Sequence, residues 1–293
     1  MNTQEILEQN GLDFNISKRA LSDADNNPSG YYGLWNDEAN KCLHTVKDGY
    51  HVSQTRDVVE LALAGIKQFD GVLSVKMGGA INDGRKIFLQ LKLEGDSKIN
   101  GDTIVQFITI LDSNDGTTSL SIGIGDLTMS CQNQFHKFYK EADTRIRHSS
   151  SLEEKMLIIP SLIEEALGEC FKQMELYREL DRTPFFGYDV VHEMVNKVLG
   201  YDKHYTSVMD LAKKSTRSIN KMNALYDAID SEVADKGVNL WGLHSGVTKY
   251  TTHLLSAPKR TNGRIEKIML GGGYKMNQTS LTFVKNKVLE FVE

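Results

Sequence analysis

The stretch from Asp112 to His148 reads DSNDGTTSLSIGIGDLTMSCQNQFHKFYKEADTRIRH and holds most of the unusual residue choices of the chain. Within it, apolar and small residues alternate over residues 118–130, which predicts a strand with one buried face. Gly123 and Gly125 in this strand would suit a bulge or the close approach of another backbone. From Gln134 the apolar residues recur at helical spacing. We therefore predict a turn, a strand, a Cys-Gln-Asn junction and a helix that ends in basic residues.

The segments on either side of this stretch differ in the spacing of their apolar residues. Residues 10–30 are polar and predict turns, whereas residues 56–69 have the spacing of a helix. After the stretch, helical spacing continues to Phe291, with a kink or a broken first turn predicted at Pro160. The predicted strands before the stretch span residues 31–35, 43–46, 71–78, 85–93 and 104–111.

These patterns predict an α+β protein. Residues 1–133 would form a mainly antiparallel β-sheet with one helix, and residues 134–293 an all-helical half packed on that sheet. The chain has 293 residues, of which 40% are hydrophobic and 25% charged, so it can bury a large core. We expect the two regions to form one continuous globular unit.

The charge and the cysteine content limit the classes of protein. A formal net charge of -5 argues against a protein that coats nucleic acid with its whole surface, but it is compatible with a local basic groove. Three cysteines without a CxxC pair provide neither a disulfide framework nor zinc-knuckle spacing. The N-terminus lacks the basic and apolar regions of a signal peptide, and no apolar run reaches about 18 residues. We therefore expect a protein of a reducing cytoplasm without a membrane span.

Several motifs occur in the order typical of one family. GYHVSQTRDVVE comes first, DGTTSL and SCQNQF follow, then RIRHSSSLEEK, and WGLHSGVTKYTTH comes last. This order resembles a phage- and plasmid-encoded family known only as a domain of unknown function, over roughly residues 45–255. The matching positions are Asp115, Gly116, Cys131, Asn133, Arg147, His148, Trp241, Gly242, Val247, Thr248, Tyr250 and His253.

The resemblance implies a mobile-element protein, expected in the cytoplasm of an infected bacterial host, and it implies no reaction. Two positions depart from the family pattern. Gly246 stands where Ala is usual, and Ser245 stands where Asn is more common. These departures would alter helix packing without undoing the resemblance.

Basic residues gather at the end of the predicted helix and again near Arg260. If the helix forms, Lys137 and Lys140 share one of its faces. The cations then either complete the dipole at the end of a solvated helix or form a stripe that contacts phosphates. The candidate nucleic-acid-binding residues are Lys137, Lys140, Arg145, Arg147, His148, Lys259, Arg260 and Arg264, and Lys267 extends the second cluster.

Cys131 and Asn133 follow the predicted strand and have two interpretations. They would serve as a buried thiol and as the cap of the following helix. The chemical alternative is a nucleophilic Cys131 with His148 as its base, although no glycine motif for an oxyanion hole lies beside it. The histidines show neither HExxH nor HxH spacing, so we predict no metal ion and no other cofactor.

The remaining signature residues have structural interpretations. Asp115 and Gly116 are expected to form a turn. Trp241, Tyr250 and His253 would close the core. Thr248 would donate a hydrogen bond back into its own helix, as threonine hydroxyls within helices do.

Three hypotheses for the function follow. The leading one is a non-enzymatic protein that binds single-stranded nucleic acid during replication or recombination, as a homo-oligomer. The second is an interaction protein that inhibits a host factor or a defence protein, which the negative net charge favours. The third is an enzyme that uses Cys131 with His148 or a metal ion.

Overall fold

The protein consists of two antiparallel sheets and a set of helices. The structure is a computed structural model, and it describes residues 2–69, 72–95, 97–138, 145–201 and 215–292. The predicted α+β class is confirmed, because strands dominate the first half of the chain and helices the second. The smaller sheet has the strands β1 (Ile16–Ser22), β2 (Pro28–Asn36) and β3 (Lys41–Lys47) in sequence order. The turns predicted for residues 10–30 are therefore wrong over β1, whose side chains are mostly exposed and give no alternating apolar signal.

The larger sheet is built around two long central strands, β7 (Asp102–Ser113) and β8 (Leu120–Thr128). Residues 104–111 of β7 pair with residues 121–128 of β8. The strands β5 and β6 lie end to end along the outer edge of β7, and β9 and β10 do the same along β8. The strand β4 pairs with β5 at the far edge. The strands of this sheet are β4 (Leu73–Ile81), β5 (Lys86–Leu93), β6 (Ser97–Ile99), β7 (Asp102–Ser113), β8 (Leu120–Thr128), β9 (Gln134–Phe138) and β10 (Arg145–Ile146).

The helix predicted from Gln134 is wrong, because residues 134–138 form the strand β9 instead. The glycines of β8 explain why a strand lies there. A Cβ atom on Gly123 would lie 2.4 Å from the carbonyl oxygen of Lys137, so the missing side chain lets β9 approach. The hydrogen bonds that the edge of β8 offers outweigh a local apolar pattern that is compatible with a helix. Arg145 consequently lies on a strand rather than at a helix end.

Among the described residues, two helices lie in the first half of the chain and the others follow β10. The break predicted at Pro160 is confirmed, since one helix ends at Met156 and the next begins at Ile159. A π-helical turn, Tyr250–Leu254, follows α7. The helices are α1 (Thr3–Gln9), α2 (Thr55–Gln68), α3 (Leu152–Met156), α4 (Ile159–Arg182), α5 (Tyr188–Leu199), α6 (Thr216–Lys236), α7 (Leu240–Lys249), α8 (Gly263–Met269) and α9 (Gly272–Val292).

The two faces of the larger sheet pack against different helices. Ile87 and Leu89 of β5 and Ile110 of β7 point to one face, where they form a core with α2 and α4. The alternate residues Phe88 and Leu111 point to the opposite face and pack against Met269 of α8. We call this second side the α8 face. It is the face on which the candidate site lies.

The close approach of β9 to β8 predicts that a side chain at Gly125 is not tolerated. A Cβ atom there would lie 2.8 Å from the carbonyl oxygen of Phe135 in β9 and 2.3 Å from Cε2 of Phe107, a fully buried ring. We expect Gly125→Ala to lower the free energy of unfolding by about 1–3 kcal/mol, the usual cost of overpacking a core. Urea denaturation measures it, with Gly168→Ala as the control, because no atom lies within 4 Å of a Cβ at that helical glycine. Unchanged stability of Gly125→Ala would contradict the pairing of β9 with β8.

Candidate functional site

The turn between β7 and β8 is held by the carboxylate of Asp115. This carboxylate accepts hydrogen bonds from the backbone N–H of Thr117 at 3.0 Å and its hydroxyl at 2.5 Å, and it pairs with Nζ of Lys86 at 2.8 Å. Burial alone would raise the pKa of Asp115, but the hydrogen bonds from Lys86 and Thr117 outweigh burial and hold that pKa below its ordinary value of 3.8. Gly116 has a φ of +67°, which a residue without Cβ adopts at little cost. The turn therefore fixes Lys86 and the hydroxyl residues that follow Gly116.

His148 is engaged inside the protein rather than presented to a ligand. Its Nε2 lies 2.8 Å from Oδ1 of Asp112, and its Nδ1 lies 3.0 Å from the carbonyl oxygen of His51. The ring of Tyr50 stacks on it at 4.8 Å, and the His148 side chain is only 5% exposed. Burial lowers the pKa of His148, but the hydrogen bond and the charge of Asp112 outweigh burial and raise it above 6.5. The assignment of His148 to a phosphate-contacting stripe is therefore wrong.

The later signature residues meet where the sheet joins the helical half. His253 donates from Nε2 to the carbonyl oxygen of Cys131 at 2.9 Å, and Thr248 donates to the carbonyl oxygen of Ser245. Asn133 donates from Nδ2 to the same Ser245 oxygen at 3.4 Å. The prediction that Asn133 caps a helix is wrong, because a strand follows it. Its amide instead ties the β8–β9 connection to α7.

Two aromatic signature residues lie in the core of the helical half. The ring of Trp241 lies 4.6 Å from that of Tyr177 on α4, and Tyr250 is buried in the same core. These positions fit the interpretation that Trp241 and Tyr250 close the core, whereas the exposed His253 does not.

The structure does not bring Cys131 and His148 together. Cys131 follows Thr128 at one end of β8, whereas His148 follows β10, which pairs with Leu120 at the other end. Nine residues of β8 separate these ends, or about 25 Å at ~3.3 Å per residue. Burial also raises the pKa of the Cys131 thiol, which disfavours the thiolate. The proposed cysteine–histidine pair is therefore wrong.

Among the residues that the structure describes, no three His, Cys, Asp or Glu side chains lie close enough together to hold a metal ion. Likewise, none of the described helices combines the length and the apolar character needed to cross a membrane.

Three neighbouring depressions lie beside α8, and each shares lining residues with the next. The first has a volume of about 270 Å³ and lies between the turn after Gly116 and the start of α9. The second, about 430 Å³, shares Thr118 and Leu270 with the first. The third, about 490 Å³, shares Lys267 with the second and continues along the start of α6. We call these three depressions together the basic groove.

Cations line the basic groove from end to end. Two of them have an acidic partner, because Lys86 pairs with Asp115 and Arg260 pairs with Glu266. The other four make no ion pair with any residue that the structure describes. Glu266 is the one carboxylate among the described residues that line the three depressions, whereas the whole chain has a net charge of -5. The six cations are Lys86, Arg145, Arg217, Lys221, Arg260 and Lys267.

The structure separates the cations that were predicted from sequence to bind phosphates. Arg145 and Arg260 line the basic groove, whereas Arg147 and Lys259 are exposed outside it. Lys140 lies outside the described residues.

Two of the predicted cations serve internal contacts instead. Lys137 lies 3.4 Å from Glu169 of α4, on the side of the sheet opposite the groove. Arg264 donates at 2.5 Å to the carbonyl oxygen of Thr252 and so fixes the π-helical turn. Neither residue lines the basic groove.

Three cations of the basic groove, Lys86, Arg217 and Lys221, were missed by sequence reasoning. Lys86 lies on β5, which pairs with β7, and nothing in its local sequence marks it as part of a site. Lys221 follows Arg217 by four residues, so the two share one face of α6, and this spacing was a signal that could have been used. The groove is assembled from β5, β10, α6 and α8, which are far apart in the sequence.

The fold and the site define an α+β protein in which the basic groove lies beside a central antiparallel sheet. The family described as a domain of unknown function (DUF932) matches residues 42–269, so the chain belongs to that family. No curated protein and no solved structure matches the chain.

The contact between His148 and Asp112 predicts a dependence of stability on pH. The pKa of His148 is raised in the folded state. The contact therefore contributes fully to the free energy of unfolding below about pH 6, and this contribution is lost as the pH rises through the folded-state pKa, above 6.5. We expect His148→Gln to lower the free energy of unfolding by about 1.5–3 kcal/mol at pH 5.5, the range for hydrogen bonds to charged groups, and by less at pH 9.

Urea denaturation at the two pH values measures this difference. His51→Gln makes the same substitution at an exposed side chain on the neighbouring loop and should leave the free energy of unfolding nearly unchanged. An effect of His148→Gln that is equal at both pH values, or larger at pH 9, would contradict a charged His148 paired with Asp112.

Proposed function

We propose that this protein binds single-stranded nucleic acid along the basic groove, during the replication or recombination of a phage or plasmid. The observation that carries the proposal is the set of six cations that line three neighbouring depressions of a chain with net charge -5. Such a concentration of one charge along a concave path attracts a polyanion. The phage or plasmid origin is part of the proposal and rests on the order of the sequence signatures.

The cations without an acidic partner would supply most of the affinity. Arg217 and Lys221 are exposed, so phosphates can reach them without displacing any carboxylate of the described residues. Each phosphate that they neutralise releases condensed counterions, which gives favourable free energy at low salt. Lys86 and Arg260 contribute less, because Asp115 and Glu266 already neutralise them.

The dimensions and the rings of the groove favour a single strand over a duplex. Depressions of about 270 to 490 Å³ have the size of small-molecule pockets and so fit individual nucleotides. The half-buried ring of Phe138 lines the first depression beside that of Tyr274, with the two ring centroids 6.1 Å apart. Only an unpaired base exposes a face that can stack on such rings.

Assembly of several copies along the strand is a further part of the proposal. Proteins that bind single strands without sequence preference usually do so cooperatively. Light scattering in the presence of oligonucleotides of increasing length tests whether this protein forms a homo-oligomer. A monomer on every length of strand would contradict assembly without affecting the proposal of binding.

An interaction with a host or phage protein is the second candidate function. Phe186, Tyr188 and Val238 are 72%, 59% and 58% exposed, and a hydrogen bond from the N–H of Phe185 to the carbonyl oxygen of Val238 holds their two loops together. Clustered apolar residues at a surface favour a protein partner. A pull-down with the unmodified chain and with Phe186→Ser/Tyr188→Ser tests it. Failure to recover a stoichiometric protein would count against this candidate.

Removing two groove cations should weaken the binding of single-stranded DNA. We expect Arg217→Gln/Lys221→Gln to reduce the affinity about tenfold near 0.1 M salt and to reduce the slope of log K against log salt by roughly 1.4, at about 0.7 per phosphate for a single strand. Fluorescence anisotropy of a labelled oligonucleotide at several salt concentrations gives both values.

The matched control is Lys172→Gln/Arg178→Gln, which removes the same charge from exposed positions on α4. We expect this control to bind like the unmodified protein. No salt-dependent binding at micromolar protein, or an equal loss in both double variants, would overturn the proposal.

A further inference from the structure

The first depression of the basic groove differs from the other two in its shape and its donors. It is the most enclosed of the three. Leu111 and Ser121 of the sheet line it, together with Thr117, Thr118 and Ser119 after the Asp115-Gly116 turn. Tyr274 at the start of α9 and the exposed Arg145 complete the part of the lining that the argument uses.

Among the residues that the structure describes, the side chains lining this depression offer hydrogen-bond donors and no carboxylate. The guanidinium of Arg145 and the hydroxyls of Thr118 and Ser119 make no hydrogen bond with another described residue, so they remain available. Neighbouring hydroxyls are already engaged, since Thr117 donates to Asp115 and Ser121 donates to the carbonyl oxygen of Ser119. The backbone that presents the donors is fixed, because Ser113 donates from Oγ to the carbonyl oxygen of Thr118 and accepts from its N–H.

This donor set matches a phosphate monoester better than a phosphodiester. A monoester has three terminal oxygens and a charge of about -1.5 to -2 near pH 7, and a guanidinium can bind it through two parallel hydrogen bonds. A diester has one negative charge, and its strand must continue on both sides. An enclosed depression at one end of a groove accommodates the end of a strand more readily than its middle.

We propose that the first depression binds the terminal phosphate monoester of a nucleic-acid strand whose remaining nucleotides lie in the second and third depressions. This inference rests on the proposed binding of single strands. Arg145 would neutralise the terminal phosphate, and Thr118 and Ser119 would donate hydrogen bonds to its oxygens. The protein would then recognise the ends of strands, such as those that nucleases produce, in preference to closed circles.

The test compares one oligonucleotide sequence with a 5′-phosphate, with a 3′-phosphate and with hydroxyls at both ends, by competition in fluorescence anisotropy. We expect one of the two phosphorylated forms to bind about tenfold more tightly than the hydroxyl form, as one or two charge-assisted hydrogen bonds would give. Thr118→Val/Ser119→Ala keeps the charge of the groove and should reduce this preference to less than about twofold. The affinity of the same variant for the hydroxyl form is measured in parallel, so that the ratio of the two affinities isolates the contribution of the terminal phosphate.

A second variant, Arg145→Gln, guards against a folding defect, because Arg145 is exposed and its removal should leave thermal unfolding unchanged. It should also remove the preference for a phosphorylated end. Equal affinity of the unmodified protein for all three ends, with salt-dependent binding retained, would overturn this inference and leave the proposed function standing. A preference that survives in both variants would also overturn it. No binding of any oligonucleotide would overturn both proposals.

Discussion

The arrangement of sheet and helices depends on a buried cluster of charges around Lys236. This lysine, on α6, is 2% exposed and lies 2.6 Å from Asp102 of β7 and 3.3 Å from Glu232 one helical turn earlier. Glu232 also pairs with Lys249 of α7 at 3.1 Å and accepts from Asn133 at 3.4 Å. Burial disfavours the charge on Lys236, but these carboxylates outweigh burial and raise its pKa. Removing one member of such a cluster costs about 3–5 kcal/mol, because the others are left buried and unpaired.

The cluster also determines where the basic groove lies. The helix that carries Lys236 at its end carries Arg217 and Lys221 at its start, so the anchoring of α6 on the sheet fixes both cations. A second anchor is Asn262, which donates to the carbonyl oxygen of Ala80 in β4 and holds the start of α8 against the sheet. The first depression is formed by the sheet itself, through the turn at Asp115. The groove is therefore a consequence of how the helices are attached, and few of its cations are neighbours in sequence.

Sequence reasoning predicted the α+β class, most of the strands, the break at Pro160 and the close approach at Gly123, because each depends on a local pattern of residues. It failed at β9, where the hydrogen-bonding edge of β8 outweighs a helix-like spacing, and at Asn133, whose partners are about a hundred residues away. Among the cations, Arg145 and Arg260 were found from local basic clusters. Lys86 could not be found, because only the pairing of β5 with β7 brings it beside the turn.

The central claim is that a single strand lies in the basic groove. Hydrogen–deuterium exchange with and without a bound single-stranded oligonucleotide tests it most directly, since it maps the contact without altering the protein. The account predicts slower exchange on binding in residues 115–121 and 260–274, which form the first two depressions, and no change in residues 172–182 of α4. Binding that protects α4 or the smaller sheet and leaves the groove segments unchanged would contradict it.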